Sequence, residues 1–154
     1  MQRRSFADMT CSVAATVDVI GEWWTPLILR DAMLGVTRFE QFQTRLDIAR
    51  NVLTVRLDRL VAEGILERRV YDEGRDRADY VLTDKGRDLW PVITALRQWG
   101  DRWVHGPGHE PLVIDHVDCG ATAITVVPTC GDCGEPLDQS KVRARPGPGA
   151  VAAH

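Results

Sequence analysis

Residues 51–83 read NVLTVRLDRLVAEGILERRVYDEGRDRADYVLT, and this stretch decides the fold. Leu53, Leu57 and Leu60 fall at i, i+4 and i+7, so one stripe of a helix is apolar. Gly64 then supplies the left-handed residue that commonly ends a helix. Beyond it, residues 65–71 and 78–82 read as two strands. The turn between them carries Gly74 with Arg75 and Arg77.

Three shorter helices are expected upstream. Residues 12–20 place Val13, Val17 and Ile20 on one face and stop at Gly21. Thr25-Pro26 is a helix start, with a hydroxyl at the N-cap and proline in the first turn, and that helix reaches Gly35. Residues 38–46 turn Phe39, Phe42 and Leu46 inward. The fourth helix spans residues 50–63, with Asp47 as its best cap. A helix followed at once by a basic-tipped hairpin is the layout of a winged helix-turn-helix. Thr83 opens a long helix through Val104 whose apolar residues, from Leu89 to Trp103, cover a wide arc. Such a helix is buried on two sides. One side packs on its own chain, and the other is free for a second subunit or for the C-terminal segment.

Bulk properties set limits. A chain of 154 residues with 44% hydrophobic content holds one domain of ordinary size plus a small appendix. MQRRSFADMT is followed by no apolar run of secretory type, and nothing approaches a membrane span. A cytoplasmic location without membrane contact is expected. The net charge is −3, and residues 38–79 hold nine arginines against nine acidic residues. Only the placement of charge, not its sum, favours nucleic acid. With 17 arginines and two lysines, the chain is supplied with the fork-shaped donor that suits phosphate and guanine.

Several motifs fall in order: a Cys before the first helix, VIGEWW, LILRDAMLG, RFEQF, RLDRLVAEGIL and YVLTDKG. With them, residues 11–104 resemble the HxlR-type bacterial transcription regulators, relatives of the MarR winged helix-turn-helix proteins. The resemblance implies a homodimer, operator DNA as ligand, transcriptional control of nearby genes and no enzymatic activity. One departure matters. Many members open the recognition helix with Ser-Pro, whereas this chain has Ala49-Arg50, so the capping hydroxyl is missing.

The expected architecture is therefore mainly α, in the α+β class. It divides into a flexible tail (1–10), a winged domain with a long dimerisation helix (11–105), a linker (106–111), a small zinc-ribbon-like β appendix (112–143) and a disordered tail (144–154). With the leucine stripe inward, the outer arc of the fourth helix holds Asn51, Val55, Asp58 and Ala62, flanked by Thr54 and Arg59. The N-terminal half of such a helix reaches base edges. Asn51 suits adenine, Val55 a thymine methyl and Thr54 a base or a phosphate. Arg38, Arg50, Arg56 and Arg59 suit phosphates, although Arg56 and Arg59 also have helix-surface acidic partners. Arg75 and Arg77 at the hairpin tip suit a minor groove.

The four cysteines carry a second signal. Cys11 opens the first helix, where a thiol is favoured for reactivity. In some members of the family it resembles, a cysteine at this position senses oxidants or electrophiles; the bland alternative is a small buried hydrophobe. HVDCG (116–120) and CGDCG (130–134) share one shape: a ligand, two residues, Cys, Gly. His116, Cys119, Cys130 and Cys133 would make a Cys3His site for one structural zinc. A Cys130–Cys133 redox pair and plain reduced cysteines stand as alternatives. Two other functions remain beside DNA binding by a regulator that answers a small-molecule or redox signal. One is a winged helix that binds a protein partner; the other is a thiol–disulfide protein, which lacks the βαβ context of such enzymes.

Overall fold

The computed structural model describes Phe6 and residues 9–72, 77–122 and 124–149. The expectations for most of residues 1–10, for Gly74 and Arg75, and for residues 150–154 lie outside the described residues. The chain divides into two compact units, Met1–Trp90 and Pro91–His154.

The first unit contains α1 (Ser12–Ile20), α2 (Thr25–Met33), α3 (Phe39–Leu46), α4 (Arg50–Ala62), the strands β1 (Leu66–Asp72) and β2 (Arg77–Leu82), and the single turn α5 (Asp84–Arg87). Its core is built on the leucine stripe, Phe42, Leu46 and Ile20 read from the periodicity, joined by residues the periodicity did not single out, whereas Val13 and Val17 of α1 are exposed and Phe39 is half-buried. Ile28 and Leu29 of α2, Phe42 of α3, and Leu53, Leu57 and Leu60 of α4 are all essentially buried, together with Ile65 and Leu66 at the start of the wing. Each such side chain contributes about 1.5–3 kcal/mol of transfer free energy. Asp31 of α2 is also wholly buried and takes Arg30 at 2.8 Å and Arg45 of α3 at 3.2 Å. This carboxylate ties α2 to α3, and both arginines stay half exposed.

Two helix starts differ from expectation. Thr25 is the first residue of α2, not its cap; Trp24 caps in a right-handed helical conformation, and the Thr25 side chain is buried. The Glu22–Trp24 turn already leads into the helix, since the Thr25 amide donates to the Glu22 carbonyl. Asp47 does not cap α4. It adopts a left-handed conformation (φ 48°) that closes α3, while Ala49 stands at the α4 N-cap without a side-chain bond. Asp is one of the few side chains that tolerates that conformation.

β1 and β2 pair antiparallel, with Leu66 opposite Leu82, Arg68 opposite Tyr80, and an irregularity between Val70 and Asp72. The segment before α3 runs beside β2: the Tyr80 amide donates to the Thr37 carbonyl at 2.8 Å, and the Thr37 hydroxyl to Asp79 at 3.0 Å. The wing is thereby fixed to the helices it follows. At its base, the Thr83 hydroxyl donates to the Gly64 carbonyl and accepts from the Gly86 amide. A Cβ on Gly86 would lie 2.3 Å from the Ile65 carbonyl oxygen, so this close approach requires glycine.

The long helix expected from Thr83 to Val104 is interrupted. α5 ends at Arg87, and α6 runs Trp90–Gly100 before a π-helical turn, Asp101–His105. Pro91 is the cause: it has no amide for the Arg87 carbonyl, but it sits comfortably in the first turn of a new helix. The second unit holds nearly all of α6 and the appendix. Arg97 bonds Asp101 one turn on and the Ile124 carbonyl at 2.9 Å, and Gln98 accepts from the Val126 amide at 2.9 Å. One side of α6 is thus covered by the appendix, which explains why the compact units divide within this helix rather than at residues 106–111. The short strands expected in residues 112–143 reduce, among the described residues, to one bridge between Thr129 and Pro136. Pro128 and Pro136 cannot donate to a ladder, and the other backbone bonds close two tight turns and the two loops that carry them.

Candidate nucleic-acid interface

α4 presents two clean faces. Leu53, Leu57 and Leu60 are at most 1% exposed, while Asn51, Thr54, Val55, Asp58, Arg59 and Ala62 stand in solvent. Val55 is 58% exposed, a large apolar side chain held out on a polar arc. The Thr54 hydroxyl donates back to the Arg50 carbonyl at 2.9 Å, which leaves its oxygen free to accept. Arg50 lies over the Phe39 ring with its guanidinium carbon 4.7 Å from the centroid, a stacked position that keeps its donors at the helix start. No side chain caps α4, so its first amides are available to an anion.

The arginines separate into groups. Arg38, at the N-cap of α3, is 60% exposed; its Nε is 3.9 Å from Asp79 and its guanidinium lies over Tyr71 of β1. Arg77, at the start of β2, is exposed. Arg59 pairs with Glu63 one turn on, on the flank of the exposed arc. Arg56 points elsewhere: its Nη2 lies 3.0 Å from Glu22, between α1 and α2, and the side chain is 23% exposed. At 100° per residue Arg56 lies off the outer arc, so it ties α4 to the body of the domain. Sequence reading did not find Glu22 because its partner is distant in the chain. The same holds for Thr37 and Asp79, which brace the wing.

Cys11 is exposed at the N-cap of α1, whose first residue is Ser12. In the second unit, His116 Nδ1 lies 2.9 Å from Cys119 Sγ, and Cys130 and Cys133 sit in one turn that the Gly134 amide closes on the Cys130 carbonyl at 2.9 Å. The amides of Cys133 and Asp132, followed by the Cys133 side chain, hold the Cys130 thiol below its ordinary pKa. The two pairs are formed separately: among the described residues, no three His, Cys, Asp or Glu side chains are gathered as an ion would need. Arg97 is already spent on Asp101 and on backbone carbonyls, so it holds the appendix instead of offering an anion site.

This geometry is that of a winged helix-turn-helix with its second helix presented outward, and the sequence profile of the HxlR-like helix-turn-helix matches residues 19–107. The chain belongs to the HxlR-like helix-turn-helix family. It is 41% identical over 141 residues to the HTH-type transcriptional regulator Rv3095 of Mycobacterium tuberculosis, covering 92% of this chain and 89% of that one. That match extends well past residue 107 into the appendix. Over 60% of the chain and 73% of the relative, it is 34% identical to the regulator YdeP of Bacillus subtilis. Among solved structures, the candidate transcription factor PA1607 superimposes with a TM-score of 0.82 at 37% identity, covering 92% of this chain and 99% of that one. The redox regulator HypR in its reduced form gives 0.55 at 34% identity over 58% of this chain and 90% of its own. This HxlR-like protein is therefore a DNA-binding transcriptional regulator and not an enzyme; the partner-binding and thiol–disulfide readings are not favoured. Among the described residues, no helix is long and apolar enough to cross a membrane.

Proposed function

We propose that the protein acts as a homodimer that reads a two-fold operator through the outer arc of α4, with the wing and the α3 start on the flanking phosphates. The observation that carries this reading is the sharp division of α4 into a buried leucine face and an exposed face bearing Asn51, Thr54 and Val55. Asn51 and Val55 lie one turn apart on that arc, spaced to meet neighbouring base edges. Arg38, Arg50 and Arg77 supply phosphate contacts around them. Arg56 is left out of the contact set, because Glu22 holds it. Asp58 limits the insertion to the first turns of the helix.

Dimerisation is supported by two apolar stripes. On α6 and the turn after it, Val92, Leu96, Trp99 and Trp103 fall at i, i+4, i+7 and i+11 and are 40%, 54%, 62% and 64% exposed. On α1, Val13 and Val17 are exposed as well. A row of large apolar side chains on one face marks an interaction surface, and a second copy presents the same stripe in a two-fold pair. Cys11, exposed at the start of α1, is the position at which an oxidant or electrophile acts as the signal. The likeness to HypR, a redox regulator, supports this assignment.

Asn51→Ala tests the placement of α4. Against an operator selected from random DNA, it is expected to cost about 1–3 kcal/mol at one base position and to relax specificity there. Arg77→Ala should instead weaken all sequences alike and lower the salt slope by about one. Unchanged affinity and specificity in Asn51→Ala would place a different surface in the groove.

A further inference from the structure

The appendix contains the same turn twice. In the first, the His116 amide donates to the Ala121 carbonyl at 2.7 Å, and the Gly120 amide to the His116 carbonyl at 2.8 Å. In the second, the Cys130 amide donates to the Glu135 carbonyl and the Gly134 amide to the Cys130 carbonyl, both at 2.9 Å. Residue for residue these are equivalent bonds. Each turn closes on a left-handed glycine, Gly120 at φ 69° and Gly134 at φ 71°. Each stands at the tip of a loop closed by one backbone bond, Ile124 to Ile114 and Leu137 to Pro128. And each sets two soft donors in one turn, His116 with Cys119, whose Nδ1 and Sγ are 2.9 Å apart, and Cys130 with Cys133.

We propose that these two turns are the halves of one tetrahedral metal site, with Zn2+ as its ion and His116, Cys119, Cys130 and Cys133 as its ligands. The inference goes beyond DNA binding and does not rest on it. Both halves are knuckles: a ligand pair separated by two intervening residues, with glycine turning the chain just after the second ligand. In the first, His116 turns Nδ1 toward Cys119 and Nε2 toward Asp118, 3.7 Å away, so a carboxylate stands behind the ring on the side opposite the donor. Three thiolates and an imidazole suit Zn2+ over harder cations. Neither pair alone fills four positions, so an ion must draw the loops together, and three thiol protons leave as it binds. The need is physical. The appendix buries little of its apolar side-chain surface, with Val113, Val117, Val127 and Val142 all exposed, so a segment this small requires a staple. Its connection runs along α6 through Arg97 and Gln98, and metal binding would therefore hold the segment that covers that helix.

The test uses the full-length, untagged chain, purified reduced and without chelator. Elemental analysis should find about one zinc per chain. Exchange with Co2+ should give the thiolate charge-transfer and tetrahedral ligand-field bands of a three-sulfur site. Cys119→Ser and Cys133→Ser should each abolish stoichiometric metal, with the far-ultraviolet helical signal retained. Zinc well below one per chain would overturn the proposal, as would a cobalt spectrum with fewer than three sulfurs. Full stoichiometry and native affinity in both Cys119→Ser and His116→Ala would also overturn it, by assigning the ion to the second knuckle alone. A Cys130–Cys133 disulfide in freshly isolated, metal-free protein would replace the site with a redox pair. Should a variant fail to fold, the cobalt spectrum of the unsubstituted chain still decides.

Discussion

Trp99→Glu is expected to turn the protein into a monomer and to lower its operator affinity by roughly 100- to 10,000-fold, the loss that follows when two half-site contacts are no longer tethered. Trp99 is 62% exposed in the middle of the α6 stripe, so the substitution removes little from the chain's own packing. In a two-fold interface each new carboxylate would lose water against apolar surface and meet the same stripe on the partner. Leu96→Glu, one position along the stripe, should behave alike. Sedimentation equilibrium and fluorescence anisotropy at matched concentration check both halves. A native protein that is already monomeric at micromolar concentration would sink the idea. So would a dimeric Trp99→Glu variant with undiminished affinity.

Leu57→Ala should cost about 2–5 kcal/mol of folding stability, the range for emptying a buried leucine site. Leu57 is fully buried between Leu53 and Leu60, where α4 meets the core. Against a typical domain stability of about 5–15 kcal/mol, that loss is large. It should lower the urea midpoint and, with it, the fraction of chain able to bind DNA. Val55→Ala on the opposite face provides the contrast. Its stability change should stay within about 0.5 kcal/mol, while operator binding weakens. An unchanged midpoint in Leu57→Ala would show that the leucine stripe is not the inner face, and the outer arc would then be misassigned too.

The winged domain was legible because its signals are local. The leucine stripe fixed the orientation of α4, Gly64 ended it, and the hairpin residues predicted strands to within a residue or two. The failures have equally specific causes. Asp47 looked like a cap by residue type, but its left-handed backbone ends α3 instead. Thr25 looked like one for the same reason, yet the preceding turn already has helical geometry. The wide apolar arc suggested one helix from Thr83 onward; it is two, because Pro91 removes a backbone donor that side-chain periodicity does not register. The polar side of α6 was written as Arg97 and Asp101 at i, i+4, but nothing local told that Arg97 would also reach the Ile124 carbonyl.

The outward face of α4 was legible in the sequence, and the pairing of the arginines around it was not. Asn51, Thr54 and Val55 follow from 100° per residue. Whether an arginine faces DNA or the domain depends on acidic partners far away in the chain. Glu22 claims Arg56 from 34 positions upstream, and Asp79 lies beside Arg38 from 41 positions downstream. No periodicity encodes such pairs. The two Cys-Gly turns are the opposite case: their repeat is plain in the sequence, and each folds as a local turn, while the proposed joining of the two around an ion is specified by neither turn alone.

The most direct test of the central claim, that the protein reads DNA through α4 and holds phosphates on either side, is the salt dependence of binding. A duplex enriched from a random pool is titrated by anisotropy over a range of salt concentrations. Arg38, Arg50 and Arg77 on two protomers should give a slope of log K against log salt steeper than about −4, since each neutralised phosphate contributes about −0.9. Failure to enrich any duplex, or a slope near zero, would contradict the account and return the winged domain to a role in binding protein.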